Sequence, residues 1–381
     1  MKIGFDISQT GKNKAGCGYA AASLIQNLIE EYDNHEYLLY SAFGNTFWDP
    51  EHGKSTCRFS QRNCTHLLDN LSHQDSLNFW NTTKAIDEGK LGNPDIVHAN
   101  NFSSPQLNFA RLVYTIHDVS FIDHPEYTSE ENRWICFNGV FDASIRADLI
   151  IAISEYSRKR FLEVFPHFPM ERTRVVYLGS RFTNVEDEKP VATLKPNNFW
   201  LSVGTLEPRK NLRRTLRAFK QYVDVNPDSK PLVLAGGQGW LEEDLEQFIN
   251  NLELSKHIIK LGYVDDSTLK WLYKNCWAFI YPSIYEGFGL PVLEAMSLGT
   301  AVLTSHTTSL PEVGGDAVLY VDPTNEADIL AGFIKLDDDK LREILKANSP
   351  TQASKFSWRK AAKEVMQAYT EVLNMPKKIF Q

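Results

Sequence analysis

Cysteine is sparse and unpatterned in this 381-residue chain: Cys17, Cys57, Cys64, Cys136 and Cys276, odd in number and without a Cys-x-x-Cys pair. That argues against both a disulfide framework and a zinc site. Positive charge is also short. Forty Lys and Arg stand against 48 Asp and Glu, a net charge of −8 with a pI near 5.7, so the basic footprint of a nucleic-acid binder is missing. No apolar run approaches the ~18–20 residues that a membrane-spanning helix needs. Met1-Lys-Ile-Gly-Phe-Asp6 reads as a strand and not as a signal peptide, so the expectation is a cytoplasmic protein, and the glycosylation-type triplets at Asn63, Asn81 and Asn101 are read as chance. A P-loop would need Gly-Lys-Ser/Thr where Cys17-Gly18-Tyr19 stand, and neither His-Glu-x-x-His nor Gly-x-Ser-x-Gly occurs. The one clear Asp-x-Asp, Asp337-Asp-Asp339, precedes Lys340–Leu345 as a helix cap and first turn, which argues against a metal there.

What the chain has is alternation. Strand-length apolar runs at Lys2–Ser8, Tyr37–Ser41, Asp95–Ala99, Leu112–His117, Leu149–Ser154 and Arg174–Leu178 are followed by a second series. That series comprises Phe199–Leu206, Leu232–Ala235, Ile258–Val264, Trp277–Pro282, Ala301–Thr304 and Val318–Val321. Segments of helical period lie between them, such as Ala20–Glu31, Glu155–Phe165, Leu212–Val225 and Trp240–Leu252. Short continuous apolar strands separated by helices imply parallel sheets covered on both faces. Mean hydropathy is −0.33, ordinary for a globular protein, and the length suits two domains. The fold class expected is therefore α/β, with two doubly wound Rossmann-like domains facing across a cleft. The expected bounds are 1–180, a linker over 181–198 that holds Pro190 and Pro196, a second domain over 199–356, and a final helical segment, 357–381, capped by Ser357.

Four motifs sit where such sheets bind ligands, beyond the carboxyl ends of strands. Gly16-Cys-Gly18-Tyr-Ala-Ala follows the first strand. It formally matches a dinucleotide fingerprint but lacks an acid at the end of the second strand, Tyr37-Leu-Leu-Tyr-Ser-Ala. His117 ends the fourth strand, in Thr115-Ile-His-Asp118. Arg209 and Lys210 follow Leu201-Ser-Val-Gly204-Thr-Leu-Glu-Pro208 at the start of a helix. Cations there oppose the helix dipole, so an anion should sit beside them. Glu286-Gly-Phe-Gly-Leu-Pro-Val-Leu-Glu294 joins a strand to a helix N-terminus, and its two carboxylates suit sugar hydroxyls.

Taken together, Val203-Gly-Thr-Leu-Glu-Pro-Arg-Lys-Asn211, Leu261-Gly-Tyr-Val264, Glu286–Glu294, Gly16-Cys-Gly18, Ile116-His-Asp-Val119 and Ala152-Ile-Ser-Glu-Tyr-Ser-Arg158 resemble the retaining GT-B glycosyltransferases of family 4. The likeness spans most of the chain and is strongest over Phe199–Pro323. It implies that Arg209 and Lys210 hold the donor diphosphate, with backbone amides from Phe288, Gly289 and Leu290. Glu294 would accept the ribose hydroxyls and Glu286 would contact the donor sugar. His117 would stand near the sugar's reactive side, Gly16 and Gly18 beneath the phosphates, Gly204 in the turn before the cations, and Tyr263 and Val264 by the base. Many members carry an arginine where this chain has Thr205, and Arg209 is inferred to supply the missing guanidinium.

The resemblance further implies a nucleotide-sugar donor, retention at the anomeric carbon, no cofactor and no required metal. The final helix would cross back to the first domain. The motif variants look most like bacterial mannosyltransferases of surface-polysaccharide synthesis, so GDP-mannose leads as donor and UDP-sugars follow. A glycan or lipid-linked acceptor would be bound by the first domain. There, in the aromatic-rich stretch Phe43–Trp80, Phe47, Trp48, Phe59, Phe79 and Trp80 are candidates to stack on sugar rings, and Lys54, Arg58 and Arg62 to face a phospholipid-linked acceptor at the inner face of a membrane. Two routes to retention stay open, a front-face displacement and a double displacement with Glu286 as the carboxylate. The rival classes are a nicotinamide-dependent oxidoreductase, a phosphorylase and a non-catalytic nucleotide-sugar binder.

Overall fold

The structure is a computed structural model that describes residues 1–11, 14, 16–44, 56–80, 85–100, 102–183, 187–237, 239 and 244–378. It divides into two compact units. One comprises Met1–Asp123, Glu130–Gly179 and Ser357–Gln381; the other comprises His124–Ser129 and Ser180–Phe356. The segment read as a linker thus groups with the second unit.

In the first unit, β1 (Lys2–Asp6), β2 (Glu36–Tyr40), β3 (Cys64–Leu67), β4 (Ile96–Ala99), β5 (Arg111–Ile116), β6 (Leu149–Ala152) and β7 (Thr173–Val175) form one sheet. Its order is β3-β2-β1-β4-β5-β6-β7, and every pairing is parallel. Ile96-Val-His-Ala99 and Leu149-Ile-Ile-Ala152 are buried along their whole length, as a strand covered on both faces must be. The hydrophobic-run reading missed β3. Cys64-Thr-His-Leu67 is a partly exposed edge strand, and its polar pattern carries no continuous apolar signal.

The second unit holds β8 (Trp200–Val203), β9 (Leu232–Ala235), β10 (Ile258–Gly262), β11 (Ala278–Tyr281), β12 (Val302–Ser305) and β13 (Leu319–Val321). They run in the order β10-β9-β8-β11-β12-β13, again parallel. The helix Leu212–Val225 buries Leu212, Thr215, Leu216, Ala218, Phe219, Tyr222 and Val223, the stripe expected of a helix lying on a sheet. Its aromatic rings pack with Trp200 and Phe333 in the core of that unit.

Each sheet has a point where the chain reverses its direction of winding: between β1 and β4 in the first, between β8 and β11 in the second. Loops after these strands leave the sheet in opposite directions and open a crevice there.

The helix Trp358–Asn374 belongs to the first unit and is capped by Ser357, which accepts from the Lys360 N–H. The Tyr369 hydroxyl lies 2.5 Å from Nδ1 of the buried His98. Just past the helix, Arg111 donates to the Met375 carbonyl at 2.7 Å. Trp80 is a core side chain, its ring 4.5 Å from that of the buried Phe43, so it does not offer a face to an acceptor. Arg58 is engaged by Asp69, while Phe47, Trp48 and Lys54 lie outside the described residues. No helix among the described residues is long and apolar enough to cross a membrane.

Candidate functional site

At the reversal point of the second sheet, the turn Pro208–Lys210 after β8 meets the loop after β11. Glu286 is almost fully buried there. Its Oε1 accepts from Lys210 Nζ, the Tyr281 hydroxyl and Ser283 Oγ, each at 2.7 Å. Its Oε2 accepts from Arg209 Nη1 at 3.0 Å. Arg209 Nη2 lies 2.7 Å from Oε1 of Glu207, which is also buried. Two partly buried cations and two buried carboxylates therefore form one cluster. The anion expected beside Arg209 and Lys210 is, in the free chain, supplied by the protein itself.

Burial alone would raise the Glu286 pKa. Lys210, Arg209 and the hydrogen bonds from Lys210 and Ser283 overcome it and hold the carboxyl at about 2. Burial and the neighbouring Arg209 depress Lys210, against the pull of Glu286 and Glu207. A cation held this way is under electrostatic pressure to meet further negative charge.

Glu294 projects from the helix Leu290–Ser297 and is also buried. It does not join Glu286. Arg181 grips it with Nε to Oε1 at 2.6 Å and Nη2 to Oε2 at 3.3 Å, and also reaches Asp266 at 3.1 Å. Burial pushes the Glu294 carboxyl up while Arg181 opposes that shift.

Gly289 opens this helix at φ 107°, a left-handed conformation that explains glycine there, and as a glycine it brings no side chain to cap the N-terminus. Phe288 is buried with its ring 5.9 Å from that of Phe356. Leu290 is half-buried at the first helical position. Gly204 follows β8, and Tyr263 and Val264 follow β10 with Tyr263 largely exposed.

In the first unit the reversal point brings together the loops after β1, β4 and β5. Gly16, Cys17 and Gly18 begin the helix Gly16–Glu31. A Cβ on Gly18 would lie 2.2 Å from the Gln9 carbonyl oxygen, so the turn needs glycine for close approach. His117 donates from Nε2 to the Asn100 carbonyl at 3.1 Å, and its own carbonyl accepts from Ser157. Burial would depress this imidazole, but the Cys17 side chain, the Asn100 carbonyl and Asp118 raise it to about 9.

Sequence reasoning did not single out Cys17, Arg181, Glu207, Tyr281 or Ser283 as site residues. Glu207, Tyr281 and Ser283 stand inside or beside the quoted motifs, and their burial within one strand end of the cations is the signal that would have found them. Arg181 is an isolated arginine in an irregular segment, and nothing local marks it.

Residues 184–352 match the model of glycosyl transferases group 1, and residues 20–180 match that of Glycosyltransferase Family 4. The chain is 36% identical over 283 residues to O-antigen chain mannosyltransferase B of Escherichia coli, covering 72% of this chain and 74% of that one. It is 34% identical over 283 residues to the serotype-specific mannosyltransferase WbdA of Escherichia coli, covering 71% of this chain but 34% of that longer protein. Among solved structures it superposes on Anabaena Alr3699/HepE, crystallised with UDP and glucose, with a TM-score of 0.70 at 19% identity, covering 97% of this chain and 99% of the other. The fold is GT-B, and the chain belongs to glycosyltransferase family 4.

Proposed function

We propose that this glycosyltransferase moves mannose from GDP-mannose to a glycan or lipid-linked glycan acceptor in surface-polysaccharide synthesis, with retention and without a metal. The observation that carries the reading is the buried cluster of Arg209, Lys210, Glu207 and Glu286 at the reversal point of the second sheet. The mannosyl group and the polysaccharide setting are supported by the name of the E. coli relative.

The difficult step breaks the anomeric C–O bond while charge builds on the leaving diphosphate. Arg209, Lys210 and the helix N-terminus at Leu290 are preorganised donors of the kind this requires, each worth about 2.7–4 kcal/mol by analogy with oxyanion-hole deletions. Diphosphate arrival draws both cations partly away from Glu286, whose freed lone pairs then accept from the sugar hydroxyls. Glu294, fixed by Arg181, accepts from the ribose.

The front-face route needs no protein nucleophile, whereas double displacement would need Glu286 beneath the anomeric carbon. We adopt the front-face route. The acceptor oxygen bonds to the anomeric carbon on the side the diphosphate leaves, and the acceptor proton passes to a leaving phosphate oxygen.

The reading is tested by calorimetric titration of the chain with GDP, UDP, NAD and their sugar conjugates, with and without chelator. Binding of GDP that survives chelation and is lost in Arg209→Ala supports it. Preference for UDP would reassign the donor, and binding of NAD alone would overturn it.

A further inference from the structure

The helix Glu130–Arg146 of the first unit is apolar on both sides. Cys136, Gly139, Val140, Ala143 and Ser144 face inward. On the opposite face Trp134 is 57% exposed, Phe137 37%, Phe141 41% and Ile145 37%. A surface helix is normally polar on that side, and this one instead carries an apolar ridge about 16 Å long. The rings are already organised. Phe137 and Phe141 stack at 6.0 Å and 11°, and Trp134 meets Phe137 edge-on at 6.3 Å.

The spacing of the ridge, three then four then four residues, is that of a seam packed against another helix. Its two ends differ in charge. Glu130 and Glu131 are exposed at the amino end, Glu130 pairing with Arg133. Arg146 stands at the carboxyl end, 2.9 Å from Asp142. Beside it Lys378 donates to the Ser144 carbonyl at 2.7 Å and Arg172 to that of Asp148 at 2.9 Å. An anionic membrane would meet two carboxylates at one end of the ridge on a chain of net charge −8. A second copy, turned antiparallel, answers both features.

We infer that this ridge is the interface of a two-fold homodimer, in which two Glu130–Arg146 helices pack antiparallel about an axis at the level of Gly139, beside the exposed Asn138. In that arrangement Phe137 meets the partner's Phe141, Trp134 meets the partner's Ile145, and the acidic end of each helix faces the basic end of the other. The contact is self-complementary, as a two-fold interface must be. Aromatic residues flanked by arginine are the composition such interfaces favour. The inference does not depend on the donor or acceptor.

Sedimentation equilibrium on the full chain is the test, and the expected mass is twice the 43.4 kDa of one copy. Phe137→Glu with Phe141→Glu should convert it to monomer without changing the circular dichroism spectrum, because both side chains are on the surface. Glu130→Lys with Glu131→Lys should weaken the dimer about tenfold. Asn138→Cys should cross-link two copies through position 138, identified by peptide mass. A chain that stays monomeric up to about 100 µM, or a dimer indifferent to the double glutamate substitution, overturns the inference. So does a monomer that sediments with anionic phospholipid vesicles through this face, since a lipid surface would then be its occupant.

Discussion

Lys210 Nζ lies 2.7 Å from Glu286 Oε1, although 76 positions separate the two residues. One follows β8 and the other follows β11, and these strands are neighbours only because the sheet winds outward from between them. The pair, with Arg209 and Glu207, stores in the free chain the charges that a donor diphosphate would engage.

Glu286→Gln removes the carboxylate that balances Arg209 and Lys210 and leaves positive charge buried in excess. Breaking one side of such a cluster costs about 3–5 kcal/mol, read as a lower unfolding midpoint in denaturant. A nucleoside diphosphate would restore the balance, so GDP should stabilise the variant more than it stabilises the native chain. Equal stabilisation of both would mean that the cluster and the diphosphate site are unconnected.

Arg181 is expected to act through Glu294. Glu294→Ala should weaken nucleotide binding by about 1.5–3 kcal/mol, the cost of leaving a buried charged partner unmatched. Arg181→Ala should weaken it as well, with partial rescue by Arg181→Lys. A double-mutant cycle measured by calorimetry should give a coupling of about 1–3 kcal/mol. Additive losses would separate the two residues and return Arg181 to a purely structural role.

His117→Ala should lower turnover more than donor affinity. Because the imidazole is raised to about 9 by Cys17, Asn100 and Asp118, it is protonated at neutral pH and loses its proton only as pH rises past that value. Activity that depends on the protonated form should fall on the alkaline side near pH 9. Cys17→Ser removes the largest raising influence, so the fall should move toward the ordinary histidine range near about 6.5. A pH–rate profile unchanged by Cys17→Ser would show that His117 does not govern the alkaline limb.

His98 is fully buried, and burial followed by the neighbouring His117 depresses it to about 3. The unfolded imidazole titrates near about 6.5. Between those values the unfolded chain binds the extra proton, so this contribution to stability is complete above about 6.5 and is lost as pH falls through the window. The slope from this one group is at most about 1.4 kcal/mol per pH unit, or about 2 kcal/mol on going from about pH 6.5 to 5. Denaturant titrations at these pH values should show the loss, and His98→Asn should flatten it. The same slope in the variant would place the acid sensitivity elsewhere.

Much of the architecture was legible as pattern. Leu149-Ile-Ile-Ala is buried on both faces and reads as an unbroken apolar run, and Ile96-Val-His-Ala is equally buried with only His98 interrupting it. Leu212–Val225 announces its helix by period, and Ser357 and Asp338 cap theirs as their positions suggest. The polar edge strand Cys64–Leu67 was not legible, because an exposed edge does not require an apolar run.

The Gly-Phe-Gly-Leu-Pro loop with its flanking glutamates, and the Arg-Lys pair after a glycine turn, were visible because each is local. Strand-to-helix junctions are built from a few neighbouring residues, and their conformational demands, such as the left-handed Gly289, are written into those residues. What each glutamate faces was decided only by tertiary structure. Glu286 meets Lys210 and Arg209, whereas Glu294, eight residues on, meets Arg181 from a segment with no motif. Such partners are set by the order in which strands pair. That order is a property of the assembled sheet and of the free energy of burying its charges together, and no short stretch of the chain carries it.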